Sequence, residues 1–166
     1  MFDFKERFYK HEKNCSQNDI ENFEKLINFK LPESYKSFLL EVNGGIPENM
    51  LLFPFVNKKG KSTHESIQRF YGLLDENVGL KYQFELYHKQ QKRMPTGLIP
   101  IGHDGGGNKI CLLVSDIGYG KIYFWEHDDE VDFDDDEEAL EPMRNTHLVA
   151  DSFIDFVSKL TEDTDD

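Results

Sequence analysis

The stretch Leu31-Pro32-Glu33-Ser34-Tyr35-Lys36-Ser37-Phe38-Leu39-Leu40, closed by Asn43-Gly44-Gly45, carries the strongest structural signal in this chain. Proline suits the first turn of a helix, where its missing N–H costs no hydrogen bond. Apolar side chains then recur at i, i+3, i+4 and i+7, which predicts a buried helix face: Tyr35, Phe38, Leu39 and Val42. Asparagine and glycine adopt the left-handed backbone that ends a helix. The sequence therefore predicts a helix over residues 32–42.

Two further helices are predicted from the same kinds of signal. One is capped by Ser16 or Asn18 and runs to about Phe29, because its apolar residues fall at helical spacing. The other is opened by Asp151 or Ser152 near the end of the chain. We expect residues 1–15 to form a loosely attached lead-in or a short helix, and residues 161–166 to be frayed.

Between these helices the pattern changes to short apolar segments separated by turns. Strands are predicted at 51–56, 67–74, 98–101, 109–114 and 121–127, and a helical segment at 77–92. Pro54 indicates an edge or a bulge in the first strand. The last three strands are expected to form a meander. This order predicts an α+β fold rather than alternating βα units.

Composition limits the partners that the chain can have. There are 19 basic and 32 acidic residues, so the formal net charge is −13. Such a charge opposes binding to nucleic acid or to an anionic membrane and favours a basic protein partner, although solubility alone is an alternative explanation. With 166 residues, 14 Phe and 7 Tyr, the chain has enough apolar area for a core, and we expect a single domain over residues 1–166.

The cysteines and the apolar stretches predict a cytoplasmic protein. Cys15 and Cys111 lie far apart in sequence and are expected to be free thiols, with a disulfide as the alternative. The first residues lack the apolar core of a signal peptide, and the stretch 50–56 is too short to span a bilayer. Export without a leader remains open.

The segment Gly102-His103-Asp104-Gly105-Gly106-Gly107-Asn108 could be a phosphate-binding loop or a hairpin turn. Phosphate loops lead into a helix, whereas the residues that follow here are strand-like, so the sequence favours a hairpin that binds no nucleotide. His103 and Asp104 lack a nearby nucleophile motif, so no catalytic residue is predicted. The six histidines show no zinc-ligand spacing, and no metal or other cofactor is expected.

An acidic run occupies residues 128–141, where ten of fourteen positions are Asp or Glu. The spacing fails the EF-hand pattern, because Phe133 stands where glycine is needed and Ala139 where the bidentate glutamate is needed. The run is therefore interpreted as a solvated, self-repelling loop or as a partner-binding surface. The candidate partner-binding residues are Asp134, Asp135, Asp136, Glu137 and Glu138. Trp125, just before the run, is interpreted as a packing residue on a strand rather than a ligand clamp.

Four phrases in register resemble the SUKH superfamily, which includes the yeast cell-wall-assembly regulator and many bacterial immunity proteins. They are Ile20–Leu26 leading into Leu31–Leu39 and Asn43-Gly44-Gly45; Ile99–Gly102 with Asp104-Gly105-Gly106 and Ile110–Leu112; Gly120–Asp128; and Val149–Phe156. Together they span about residues 16–160. The segment 132–141 looks like an elaboration peculiar to this chain.

The resemblance implies helices packed against a largely antiparallel sheet, and no enzymatic activity. Bacterial members resemble cytoplasmic immunity partners of secreted polymorphic toxins, many of them nucleases. The implied function is thus a non-enzymatic protein that binds a cognate toxin domain. A regulatory or scaffold protein like the yeast member is the alternative, and an enzyme using the His103–Asp104 turn is the least favoured.

Overall fold

The computed structural model describes residues 4–11, 13–115 and 117–163 and has an α+β architecture. Its helices are α1 (Phe4–Arg7), α2 (Gln17–Ile27), α3 (Glu33–Glu41), α4 (Leu80–Phe84) and α5 (Phe153–Ser158). Helix α4 continues directly as a π-helix over Glu85–Gln90. Short 3-10 turns lie at His127–Asp129 and Glu138–Leu140.

The strands form a larger and a smaller antiparallel sheet. They are β1 (Phe8–His11), β2 (Gly45–Pro47), β3 (Leu51–Val56), β4 (Ser62–Ile67), β5 (Arg69–Phe70), β6 (Leu98–His103), β7 (Lys109–Leu113), β8 (Ile122–Trp125), β9 (Thr146–Ala150) and β10 (Thr161–Glu162). The larger sheet has the order β1-β2-β5-β6-β7-β8-β9, and the smaller one has the order β10-β3-β4. The α+β class predicted from the element order is confirmed.

The two predicted N-terminal helices form where their capping residues place them. Ser16 caps α2 through a reciprocal capping box with Asp19, and Asn28 ends that helix in the left-handed conformation. Pro32 is the N-cap of α3, and Val42 is its C-cap. Gly44 follows with φ of 82°, and a Cβ there would lie 2.7 Å from the Phe70 carbonyl oxygen. Glycine is therefore required both by the turn and by the close approach of β5.

The larger sheet has a separate hydrophobic core on each face. Alternate residues of β7 and β8, Ile110, Leu112, Ile122 and Phe124, join the main core with α2, α3 and α5. The intervening residues join a second core formed by Tyr87, Met94, Leu98, Cys111, Leu113 and Trp125. This two-residue alternation is the pattern expected of strands buried on both faces.

Three parts of the fold differ from the sequence-based expectation. Of the strand predicted at 67–74, only Ile67 lies in β4 and only Arg69–Phe70 form the short β5, and residues 71–74 are not in a strand. Most of β4 is polar because it is the outer strand of the smaller sheet, so its sequence resembles a loop. Strand β9 was not predicted at all.

The chain ends are held more firmly than predicted. Within the predicted lead-in, α1 is the short helix given as one alternative, and β1 pairs with β2 while Phe8 is only 4% exposed, so residues 8–11 are not loosely attached. Residues 1–3 and 12 lie outside the described residues. Thr161 and Glu162 pair with β3, and Glu162 forms an ion pair with Arg7. These residues are therefore not frayed; residues 164–166 of the predicted tail lie outside the described residues.

A substitution at Phe38 provides a direct test of the main-core assignment. Its ring is 2% exposed and lies 5.3 Å from the ring centroid of Phe70 and 5.2 Å from that of Phe153. We expect Phe38→Ala to lower the free energy of unfolding by roughly 3–5 kcal/mol, the usual cost of deleting a buried phenyl ring. Leu40→Ala, two residues along the same helix and 42% exposed, is the matched control and should change it by less than about 1 kcal/mol. Urea denaturation measures both, and a similar small loss in the two variants would contradict the core assignment.

Candidate partner-binding surface

The acidic run belongs to a long connection between β8 and β9, residues 126–145, called here the acidic loop. Basic residues on neighbouring elements attach the first part of this loop to the fold. Arg93 donates from Nε to a Glu130 carboxylate oxygen at 2.8 Å and from Nη2 to the other oxygen of the same group. Lys58 lies 2.8 Å from Asp129. The loop is therefore anchored at defined points, unlike the freely solvated segment considered from the sequence.

Arg93 also joins the loop to the second core. Its guanidinium carbon lies 4.5 Å from the ring centroid of Tyr87 and 5.6 Å from that of Trp125. Tyr87 and Trp125 meet edge to face with centroids 5.5 Å apart. A cation over aromatic faces that also pairs with a carboxylate is a favourable arrangement for a planar guanidinium. Trp125 is thus a packing residue, as predicted, and it supports the base of the acidic loop.

The five predicted partner-binding carboxylates have different local roles. Asp135 accepts hydrogen bonds from the backbone N–H groups of Glu137 and Glu138 at 2.9 and 3.1 Å, so it caps the 3-10 turn at Glu138–Leu140. Glu138 accepts from the backbone N–H of Asp132 at 2.8 Å and from Arg144 at 3.3 Å. Asp134, Asp136 and Glu137 are exposed, as is Asp135, whereas Glu138 is half-buried. Asp135 and Glu138 therefore maintain the shape of the loop by these hydrogen bonds, while Asp134, Asp136 and Glu137 are presented to solvent.

Leu140 lies among these acidic residues and was not singled out from the sequence. Its side chain is 81% exposed, among the most exposed large apolar residues of the described chain. An apolar residue between two acidic ones, Glu138 and Glu141, was the available signal. An exposed leucine with a rim of carboxylates has the composition of a small protein-binding anchor.

The glycine-rich segment is a hairpin between β6 and β7, as predicted. Asp104, 3% exposed, accepts from the backbone N–H groups of Gly106 and Asn108, both at 2.9 Å. The Asn108 side-chain oxygen accepts from the backbone N–H of His127 at 3.0 Å, which fixes the start of the acidic loop. These two backbone N–H groups therefore point toward the buried Asp104 carboxylate and not toward a position where a phosphate could bind.

His103 belongs to a hydrogen-bond chain with Tyr71 and Lys109. Lys109 Nζ donates to the Tyr71 hydroxyl at 2.8 Å, and that hydroxyl lies 2.8 Å from His103 Nδ1. Burial, and to a lesser extent the nearby charges of Lys109 and Arg69, lowers the pKa of His103 to about 4. The ring is therefore neutral, and its Nδ1 can accept a hydrogen bond from the Tyr71 hydroxyl. Burial also raises the pKa of the neighbouring Cys111 thiol, which keeps it protonated.

Cys15 and Cys111 are free, buried thiols. Within the described ranges, no group of three or more His, Cys, Asp or Glu side chains is placed to hold a metal ion. No helix in that part of the chain is long and apolar enough to cross a membrane.

Comparison with known proteins relates this chain to a family and to a bacterial relative. The model of the SMI1 / KNR4 family (SUKH-1) matches residues 14–159. A relative in Bacillus subtilis (strain 168), the SPbeta prophage-derived uncharacterized protein YokK, is 29% identical over 162 residues, which cover 89% of this chain and 76% of the relative.

The hairpin geometry predicts that the chain binds no nucleotide. Isothermal titration with ATP or NAD should give no heat beyond dilution, because the backbone N–H groups of Gly106 and Asn108 already donate hydrogen bonds to Asp104. Gly106→Ala is a suitable probe, since a Cβ there meets its nearest atom at 3.6 Å and the backbone φ is not positive. Micromolar binding by the wild type that Gly106→Ala abolishes would reverse this conclusion.

The buried chain at His103 predicts a pH-dependent stability. Burial lowers the pKa of His103 in the folded protein to about 4, below the ordinary histidine value of 6.5. The unfolded state therefore binds more protons in this range, and stability falls as pH drops from about 6.5 toward 4. Burial lowers the pKa of His88 in the same direction. His103→Gln, which keeps an acceptor for Tyr71, should reduce the loss between pH 7 and 5.5 by up to about 1 kcal/mol after allowance for partial solvent exposure. Urea denaturation at the two pH values measures this, and parallel losses in both proteins would contradict it.

Proposed function

This chain belongs to the SMI1/KNR4 family (SUKH-1), which includes toxin-immunity proteins, and from that membership we propose that it is a non-enzymatic immunity protein. Its partner is a secreted toxin domain with a basic surface, and a nuclease is the toxin class that we expect. The observation that carries the proposal is the anchored acidic loop, which holds three outward carboxylates beside the exposed Leu140.

Charge supports this choice of partner. A nuclease is positive where it grips the phosphate backbone, so an inhibitor can cover that region by presenting carboxylates to it. The net charge of −13 attracts such a surface from a distance. The exposed Asp134, Asp136 and Glu137 concentrate negative charge on the acidic loop and so favour contact there.

Anchoring supports the loop as a binding element rather than only a solubilising one. Arg93 and Arg144 hold its backbone and carboxylates in place, and Val131 within the loop is buried. A surface held in one conformation loses less entropy when it binds than a mobile segment does. Carboxylates would mainly speed association, while Leu140 would provide the apolar contact that slows dissociation.

The proposal predicts separate kinetic effects for charge and apolar contact. Changing Asp134 and Asp136 to Asn and Glu137 to Gln should slow association roughly tenfold at low salt and flatten its salt dependence. Asp135 and Glu138 are kept because they cap and brace the loop. Leu140→Asn should mainly speed dissociation, by roughly tenfold.

The control is a variant with the same charge change outside the loop, in which the exposed Glu41, Glu48 and Glu76 become Gln. The toxin is identified by pull-down from the native cell, and rates are measured by surface plasmon resonance at low and high salt. Equal association rates in the two triple variants would remove the loop from the mechanism. Failure to protect cells from any co-encoded toxin would favour a regulatory role like that of the yeast member.

A further inference from the structure

A groove lies between the end of α2, the π-helix and the acidic loop, with a volume of about 610 Å³. This volume is within the range of binding pockets. Its surface is largely apolar and includes Phe29, Phe84, Met94, Pro95, Phe133 and Pro142. Four of these, Phe29, Pro95, Phe133 and Pro142, are only half-buried, so the groove leaves apolar area open to water.

The charges along this groove are opposite to those of the protein as a whole. No acidic side chain is among the described residues that line it, although the chain carries 32 acidic residues. Lys89 and Lys92 provide positive charge, and both are exposed. Lys89 Nζ lies 5.9 Å from the Phe84 ring centroid, and Lys92 is held at the rim by a left-handed backbone with φ of 45°. The matching occupant is therefore an apolar side chain accompanied by carboxylates.

The acidic loop itself offers a segment of this composition. Leu140 is 81% exposed and lies between Glu138 and Glu141. Pro142, which lines the groove, is only two residues further along, a distance of at most about 7 Å along the backbone. Leu140 thus stands next to the groove of its own molecule without filling it.

We propose that this groove is a self-association site that receives Leu140 and its flanking carboxylates from a second copy of the chain. Because loop and groove are neighbours, one surface patch contains both halves of the contact. A patch that is complementary to itself forms a closed twofold dimer in which each loop enters the other groove. At physiological ionic strength the Debye length is about 8 Å, so the like net charges are largely screened while contacting pairs still attract.

The dimer has a consequence for the acidic loop as a partner-binding surface. Each copy would cover the loop of the other, so self-association and partner binding would compete for Leu140. A dissociating dimer would expose the loop when the protein is dilute or when a tighter partner is present. The dimer contact is inferred from the groove and the loop alone and is independent of the partner's identity.

Sedimentation velocity on the full chain, from micromolar to hundreds of micromolar, tests the proposal. The wild type should shift from monomer to dimer with concentration. Leu140→Asn and Lys92→Glu should each raise the dimer dissociation constant roughly tenfold or more, because one removes the apolar anchor and the other reverses the rim charge. Ile154→Asn, which changes an apolar residue 68% exposed on α5, should leave it unchanged. Unaltered thermal melts would exclude misfolding of the variants.

A wild type that stays monomeric throughout, or a dimer that either Leu140→Asn or Lys92→Glu leaves intact, would overturn the proposal. A labelled peptide of residues 134–142 provides the second measurement by fluorescence anisotropy. Peptide binding by a chain that never dimerises would also overturn the second copy as occupant and would assign the groove to an acidic segment of another protein. These measurements contain no toxin, so a negative result leaves the proposed immunity function to its own test.

Discussion

Two-sided burial of the central strands is the constraint on which the rest of the structure depends. In β7 and β8, neighbouring residues point into different cores, so neither strand has a face left for solvent. Helices α2, α3 and α5 cover one face, and the π-helix with its following turn covers the other. The acidic loop is built on this second, smaller layer, and the groove lies between that layer and the end of α2.

The sequence was informative where a structure is determined by near neighbours. The apolar stripe and glycine stop of α3, the caps of α2 and α5, and the β6–β7 hairpin all depend on residues close in the chain, and they were predicted correctly. Strands β1, β9 and β10 were missed because their partners β2, β8 and β3 lie far away or across the long acidic loop. Strands this short have too few residues to show the two-residue hydrophobic alternation by which a strand is predicted from sequence.

The candidate surface was only partly predictable for a related reason. Counting carboxylates identified the acidic loop, but it did not show that Asp135 and Glu138 brace the loop by accepting backbone hydrogen bonds. The cations that hold the loop come from Lys58 and Arg93, well before it, and from Arg144 at its end. Because like charges repel, such a dense acidic segment keeps one shape only where distant cations offset it.

The separation of the two cores also bears on the dynamics of the molecule. The second core is small and is closed on its outer side by the π-helix and by Arg93. We expect this layer to open as a cooperative unit of its own, with a lower opening free energy than the main core, because it buries fewer apolar side chains. Amide hydrogen exchange would resolve the two as separate classes, fast around Tyr87 and slow around Phe38. A partner bound to the acidic loop or the groove would then slow exchange only at the amides around Tyr87. Such selective slowing would reveal binding even when the partner is unknown.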